Sequence, residues 1–367
     1  MKTLMPQLRE RKGTIFNCRL AVQICAVLLV VLMLIPILPP NQQVLADPLP
    51  VTQVFDLSDS SDPSILKKNL QRSTVLQSFG YDNVNQHIYT VQLIGGGLQL
   101  PGESSAPTAA VRKTNGDLCI TKLDFAGNII SYMYVLGAGH GVSIGVEPGI
   151  GQNGQPVAYL WTETDGVPDS VNGARGTKIA RFPFTDGAVV TPNTPWLQKH
   201  TLVPGSTNAT VSIDMKHGYL VSRYKATDGN YKLSLFDLAQ VKLGNYVVRS
   251  TINMPAVDTT VTSFQGYTSY GNYAYLLEGT AYGNGNSVAP NGNTYISIYD
   301  FNTGALVDRG LTKAGYSLLY REPEGMAIQI PNPSTPGYAR LSFGFASYVS
   351  TTDTTKQASI YYKDVLH

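Results

Sequence analysis

Gln77-Ser-Phe-Gly-Tyr81, His140-Gly-Val-Ser-Ile144, Ala209-Thr-Val-Ser-Ile213, Gln265-Gly-Tyr-Thr-Ser269 and Glu324-Gly-Met-Ala-Ile328 repeat one pattern: a polar or small residue, a small residue, an apolar one, then alternation. The copies recur at intervals of roughly 60 residues, which makes each the opener of one structural unit. Behind every opener come a turn and a second alternating run, at residues 87–93, 157–162, 219–224, 273–278 and 339–345. A loop of variable length then leads to a third and fourth run. Three of these hairpins begin at Cys119, Ile179 and Tyr295 and turn at Ala126-Gly127, Asp186-Gly187 and Thr303-Gly304, where glycine supplies the positive φ of a tight turn. The third repeat has a looser version over residues 233–248. The fifth ends at Ser359-Ile-Tyr-Tyr-Lys363 without an outermost strand, which residues 51–57 are expected to supply.

Four short antiparallel strands, repeated five times, would each leave two apolar faces and two edges exposed as separate sheets. Radial packing removes both problems. The expected fold is therefore all-β, a five-bladed β-propeller over residues 74–367, preceded by a lead-in segment at 47–73. Two β-sandwiches meeting near residues 201–206 are the alternative. Helix is expected only at residues 64–71 and 237–242.

Residues 1–46 read as an export segment. Lys2, Arg9, Arg11, Lys12 and Arg19 form a basic leader, residues 20–38 are nearly all apolar, and Val44-Leu-Ala46 ends in a small residue. The segment is expected to be either a signal peptide cleaved after Ala46 or a retained membrane anchor, with the body secreted or attached to the cell surface. Five of the 27 Lys and Arg and one of the 25 acids lie there, so the body carries 22 bases against 24 acids. A body without a basic run argues against nucleic acid as a partner. Cys18 and Cys25 also fall in the leader, which leaves Cys119 alone on a strand, a buried small hydrophobe by expectation.

In a propeller, the loops between second and third strands open on the same face as the starts of the innermost strands. The long loops at 95–116, 165–176, 279–293 and 350–357 all belong to that class. Gln77, His140, Gln265 and Glu324 are therefore expected to converge at the mouth of the central channel, with Ala209, next to Asn208 and Thr210, in the third repeat. Mixed donors and acceptors suit the hydroxyls, amides or phosphates of a polar ligand. The alternative is that these side chains only satisfy backbone groups at strand ends. Trp161, Trp196, Tyr267, Tyr270, Tyr273 and Tyr282 offer flat faces for sugar rings if they stand on loops; packing within the sheets is the other reading.

Catalytic signatures are sparse. Glu147, Asp214 and Glu324 could be read as glycosidase acids, yet Glu147 precedes Pro148-Gly149 and Asp214 matches the turn position of Asp82-Asn83. No nucleophile elbow, metal-binding histidine pair or phosphate-cradling loop is found, so no metal or cofactor is expected. Asn208-Ala-Thr210 is a glycosylation sequon that matters only in a eukaryotic secretory pathway.

Gln77-Ser-Phe-Gly-Tyr-Asp-Asn-Val-Asn85, Gly139-His-Gly-Val-Ser-Ile-Gly-Val-Glu-Pro148, Tyr159-Leu-Trp-Thr-Glu163, Gln265-Gly-Tyr-Thr-Ser-Tyr-Gly-Asn-Tyr273 and Glu322-Pro-Glu-Gly-Met-Ala-Ile328 together resemble the teichoic acid biosynthesis protein C family of Gram-positive bacteria. That family shares its propeller domain with receptor-binding proteins of staphylococcal phages. The resemblance implies a five-bladed propeller that binds cell-wall polymers, wall teichoic acid in the phage members, and it brings no catalytic residues. An export leader, in place of a stem or trimerisation segment, points to a wall-associated bacterial protein. The layout is also similar, more distantly, to helveticin-type bacteriocins. The expected function is thus a wall glycopolymer-binding module with Gln77, His140, Gln265, Glu324, Tyr267 and Tyr270 as ligand-binding residues. An enzyme acting on wall polymers, with Glu324 and His140 as acid and base, is the alternative from another class, and a bacteriocin the third.

Overall fold

The computed structural model describes residues 47–169, 173–254 and 262–367. The export leader lies outside the described residues. Five antiparallel sheets follow one another along the chain. Blade 1 comprises Leu76–Asp82, His87–Leu93, Leu118–Asp124 and Ile129–Val135. Blade 2 comprises Gly145–Ile150, Pro156–Thr164, Lys178–Pro183 and Gln198–His200, and blade 3 Thr207–Asp214, Tyr219–Lys225, Tyr231–Asp237 and Val248–Asn253. Blade 4 comprises Ser263–Tyr270, Tyr273–Gly279, Tyr295–Asp300 and Leu306–Leu311. Blade 5 comprises Glu322–Gln329, Arg340–Tyr348, Lys356–Lys363 and, outermost, Ser64–Asn69.

Burial follows radius. Every residue of the innermost strand Leu76–Asp82 is buried, whereas the outermost strand of blade 4 is almost wholly exposed. Each junction between neighbouring blades has its own apolar cluster, built around Leu160 and Phe182 (blades 1 and 2), Leu220 and Phe236 (2 and 3), Tyr267 and Leu276 (3 and 4), Phe343 and Phe345 (4 and 5), and Phe79 and Ile360 (5 and 1). A pair of sandwiches would bury one face of each sheet; here both faces are buried, and the two-sandwich alternative fails on that point.

Three expectations are corrected. Residues 64–71 are not helical: Ser64–Asn69 is a strand paired with the last strand of the chain, with Leu66 opposite Ile360. Leu66 and Leu70 are spaced as on a helix, but the open edge of blade 5 offers a ladder of backbone partners and overrides that local preference. Residues 51–57 are consequently not the outermost strand. They run instead beside the C-terminus, where Val54 and His367 exchange backbone hydrogen bonds and Phe55 is buried against Tyr270 and Tyr275. The lead-in is therefore an integral part of the propeller. Finally, Asp186-Gly187 does not turn a hairpin in blade 2. Val189–Val190 crosses to pair in parallel with Tyr134 and Val135 of blade 1, and Phe184 packs on Tyr89. Pro183 ends the third strand because it cannot donate to a further ladder.

The short helix Leu238–Lys242 forms as expected, capped by the Asp237 side chain on the Gln240 amide. A second helix, Ala109–Asn115, lies in the long loop of blade 1 and is capped by Thr108. Cys119 is fully buried among Ile94, Leu100 and Tyr134, and burial pushes its thiol up to about 12, which leaves it unreactive at neutral pH.

Candidate ligand-binding site

The openers carry a geometric device that sequence does not reveal. The pairing of first and second strands shifts register between Leu76 and Ser78, between Thr207 and Thr210, between Phe264 and Gly266, and between Pro323 and Met326. Gln77, the Asn208-Ala209 pair, Gln265 and Glu324 therefore sit in β-bulges, whose extra residue bends the strand and re-aims its side chain. In blade 2, His140 occupies the same place just before the strand begins at Gly145.

The second and fourth residues of the openers are mostly small because the strands meet there around the axis. Ser78 Oγ donates to Gly141 O at 2.6 Å, Ser143 Oγ to Val211 O at 2.7 Å, and Ser212 and Thr268 hydroxyls lie 3.3 Å apart. A Cβ on Gly266 would stand 2.7 Å from Gly325 Cα, and one on Gly325 would stand 2.7 Å from Ser78 Cα. This belt joins every blade to the next.

Above it, on the face of the long loops, opens a cavity of about 980 Å³ that Gln77, His140, Gln265 and Glu324 all line, with Asn208 and Thr210 from blade 3. The predicted column of polar side chains is thus brought to one mouth. The opposite mouth is smaller, about 240 Å³, and mainly apolar, with Val146, Met326 and Ile328 among its walls. Gln265 also donates to Gly279 O at 3.1 Å, so for this residue the backbone-satisfying role is real.

Tyr267 and Tyr270, expected at the mouth, are not there. Both lie on the innermost strand of blade 4 and are buried. The Tyr267 hydroxyl bonds Val221 O, and Tyr270 packs on Phe55. Trp161 is buried in a strand, Tyr273 lies on another, and Tyr282 hydrogen-bonds loop carbonyls of Pro290 and Tyr316; of the six aromatics only Trp196 is well exposed. The aromatic faces at the cavity are others, Tyr231, Phe264 and Tyr320. Glu147 is structural, but through ion pairs to Arg181 and Lys242 within a strand rather than through a turn. Asp82 and Asp214 accept the amides of their turns, as expected.

Charges that sequence reasoning missed shape the cavity walls. Glu163, fully buried, accepts from the amides of Gly141 and Gly176 at 2.6 Å each, clasping the His140 loop to the segment that carries Arg175. Burial nonetheless raises its pKa. It stands in the Tyr159–Glu163 run already singled out, where an acid ending an apolar strand is the available signal. On the blade 5 wall, Lys356 Nζ lies 2.9 Å from the ring centroid of Tyr320 and 4.1 Å from that of Tyr348, and the two rings stack at 4.9 Å. Burial lowers the pKa of Lys356 to about 8. Tyr320 and Arg321 hold successive φ values of 77° and 41°, a strained turn that aims Tyr320 at the cavity.

Glu324 is 5% exposed. Burial, then the neighbouring Glu322, raise its pKa well above 4.5, against a smaller opposing pull from Lys356. A carboxyl raised on folding binds more protons in the folded state, so its contribution to stability is fullest at low pH and is lost as pH rises from 4.5 through the folded value. Glu324→Gln keeps the shape and removes the titration. Its melting midpoint is expected to exceed that of the parent at about pH 7 and to match it at about pH 4. Equal shifts at both pH values would show that ionising this carboxyl carries no cost.

Five blades around one axis, with a polar, partly charged basin at the loop face and a smaller, mainly apolar pocket at the other, make this a five-bladed β-propeller. By its sequence, the chain belongs to the family of the phage 5-bladed beta propeller receptor binding platform domain, whose model matches residues 75–347. It is homologous to the putative major teichoic acid biosynthesis protein C of Bacillus subtilis strain 168, at 27% identity over 306 residues, 80% of this chain and 61% of that protein. The match thus spans under two thirds of the relative's length. The tail fiber of Staphylococcus aureus phage P68 superposes with a TM-score of 0.61 and 19% identity, over 84% of this chain and 54% of that one, a likeness of fold. A Bacillus subtilis arabinanase aligns over 82% of this chain and 97% of its own at a TM-score of 0.37 and 12% identity, too distant to bear on chemistry.

Proposed function

We propose that this chain is an exported, wall-associated binding module that holds a Gram-positive cell-wall glycopolymer of the teichoic acid type at its polar mouth. The observation that carries the reading is the meeting of Gln77, His140, Gln265 and Glu324, one from each of four blades, in a single basin ringed by the long loops. Side chains that offer both donors and acceptors around an open basin suit a repeating polyol or sugar chain. Membership of a receptor-binding propeller family supports the polymer as ligand, and the basic-then-apolar leader supports export. Purified walls are expected to retain the protein before teichoic acid is stripped and to lose it afterwards; equal retention would remove the teichoic acid reading.

One observation favours a second reading. A carboxyl whose pKa is raised by burial suits a general acid, and Glu324 lines the same cavity as His140. Glu324→Gln separates the two, since a binding module keeps its polymer with the amide in place, whereas an enzyme keeps binding but stops releasing product.

A further inference from the structure

The wall of the basin formed by blades 2 and 3 contains a charge without a counterion. Arg223 is 8% exposed, and its guanidinium is sandwiched between the rings of Tyr231 at 3.9 Å and Phe264 at 3.8 Å. Among the described residues no carboxylate pairs with it, and its Nε has no hydrogen-bond partner. Burial disfavours the charge on Arg223, and Arg175, facing the same cavity, adds to this against an opposing pull from Tyr231 and Tyr267; Lys113, from the last turn of Ala109–Asn115, joins them. Glu163, which interacts electrostatically with Arg175, is held by the Gly141 and Gly176 amides. The acids of the basin, Glu322 and Glu324, belong to blade 5, beside Lys356.

Burying a guanidinium between two rings with no acid beside it costs stability unless something else supplies the negative charge. The aromatic faces hold the fork flat and leave its edge for a ligand, and a planar fork matches a tetrahedral oxyanion with two parallel hydrogen bonds. We infer that Arg223, Arg175 and Lys113 form a phosphate subsite, which seats one phosphodiester of a polyol-phosphate chain while the Gln77, Gln265 and Glu324 side of the basin meets the polyol or sugar between phosphates. This inference rests on the polymer-binding reading above and specifies its chemistry.

The test uses Arg223→Met, Arg175→Gln and the parent chain, with inorganic phosphate and purified poly(glycerol phosphate) as probes and polygalacturonate as a carboxylate control. Phosphate is expected to raise the melting midpoint of the parent through linkage, and of neither variant. Poly(glycerol phosphate) is expected to bind the variants about tenfold more weakly, the loss of one charge-assisted contact, with a shallower dependence on salt. Arg223→Met, freed of an unpaired buried charge, should melt no lower than the parent without ligand; if it melts lower, Arg175→Gln alone decides, because that side chain is only half-buried. Retention of wall polymer by both variants at the affinity and salt slope of the parent would overturn the subsite and leave the polymer reading intact. Phosphate stabilisation that needs both arginines, without any polymer binding, would keep the subsite and sink the polymer reading. Equal binding of polygalacturonate would overturn the preference for phosphate.

Discussion

Arg321→Ala is expected to be among the most destabilising single changes in this protein, lowering stability by about 4 kcal/mol or more. The side chain is wholly buried. Its Nε donates to Ala314 O at 2.9 Å, one terminal nitrogen to Thr294 Oγ1 at 3.0 Å and the other to Thr312 O at 3.0 Å, while its plane packs over Phe345. Burial lowers its pKa, yet the fork stays satisfied by carbonyl and hydroxyl dipoles. Truncation orphans three acceptors and opens a void, both penalties at once. It also releases the strained turn that aims Tyr320, so the Lys356 ring stack should loosen. Arg321→Lys should recover little, because an ammonium cannot reach three acceptors in a fixed fork. Thermal unfolding checks both variants; an Ala variant melting within about a degree of the parent would show the fork to be dispensable.

The second large effect belongs to Gly325→Val. Gly325 has φ near +74°, where an L side chain is strained, and a Cβ there would meet the backbone of Ser78 at 2.7 Å, in the belt between blades 5 and 1. Left-handed strain and overpacking together are expected to cost about 3 kcal/mol or more. Because Glu324 precedes it in the same bulge, the variant should also lose polymer binding beyond what its lower stability explains. Unchanged unfolding would mean that the belt yields more readily than its spacing suggests.

The blade count and the polar column were legible in the sequence because both are periodic. Small residues recur where backbones crowd the axis, and polar ones recur just before them. The bulges that aim the column were not legible, since an extra residue is defined only against a partner strand. Distance in sequence caused the other misreadings. Ser64–Asn69 finds its partner at the far end of the chain, so local spacing of Leu66 and Leu70 read as helix. Val189–Val190 belongs to the preceding blade. Tyr267 and Tyr270 alternate on a strand whose two faces are both buried, so position within the blade, not residue type, removes them from the mouth. Arg223 is the most instructive omission, a cation buried inside the strand Tyr219–Lys225, where burial was the feature to weigh.

Residues 54 and 64–69 precede the first four blades in the chain, and the stretch they grip, from Lys356 to His367, follows them. The circle therefore cannot be locked before that stretch has been made, and until then the last junction stays unsealed. Slow closure of so long a loop should make the final step rate-limiting in refolding. Loss of only the last dozen residues would remove the partner for both early segments, so a short truncation should unfasten the whole wheel rather than trim one spoke.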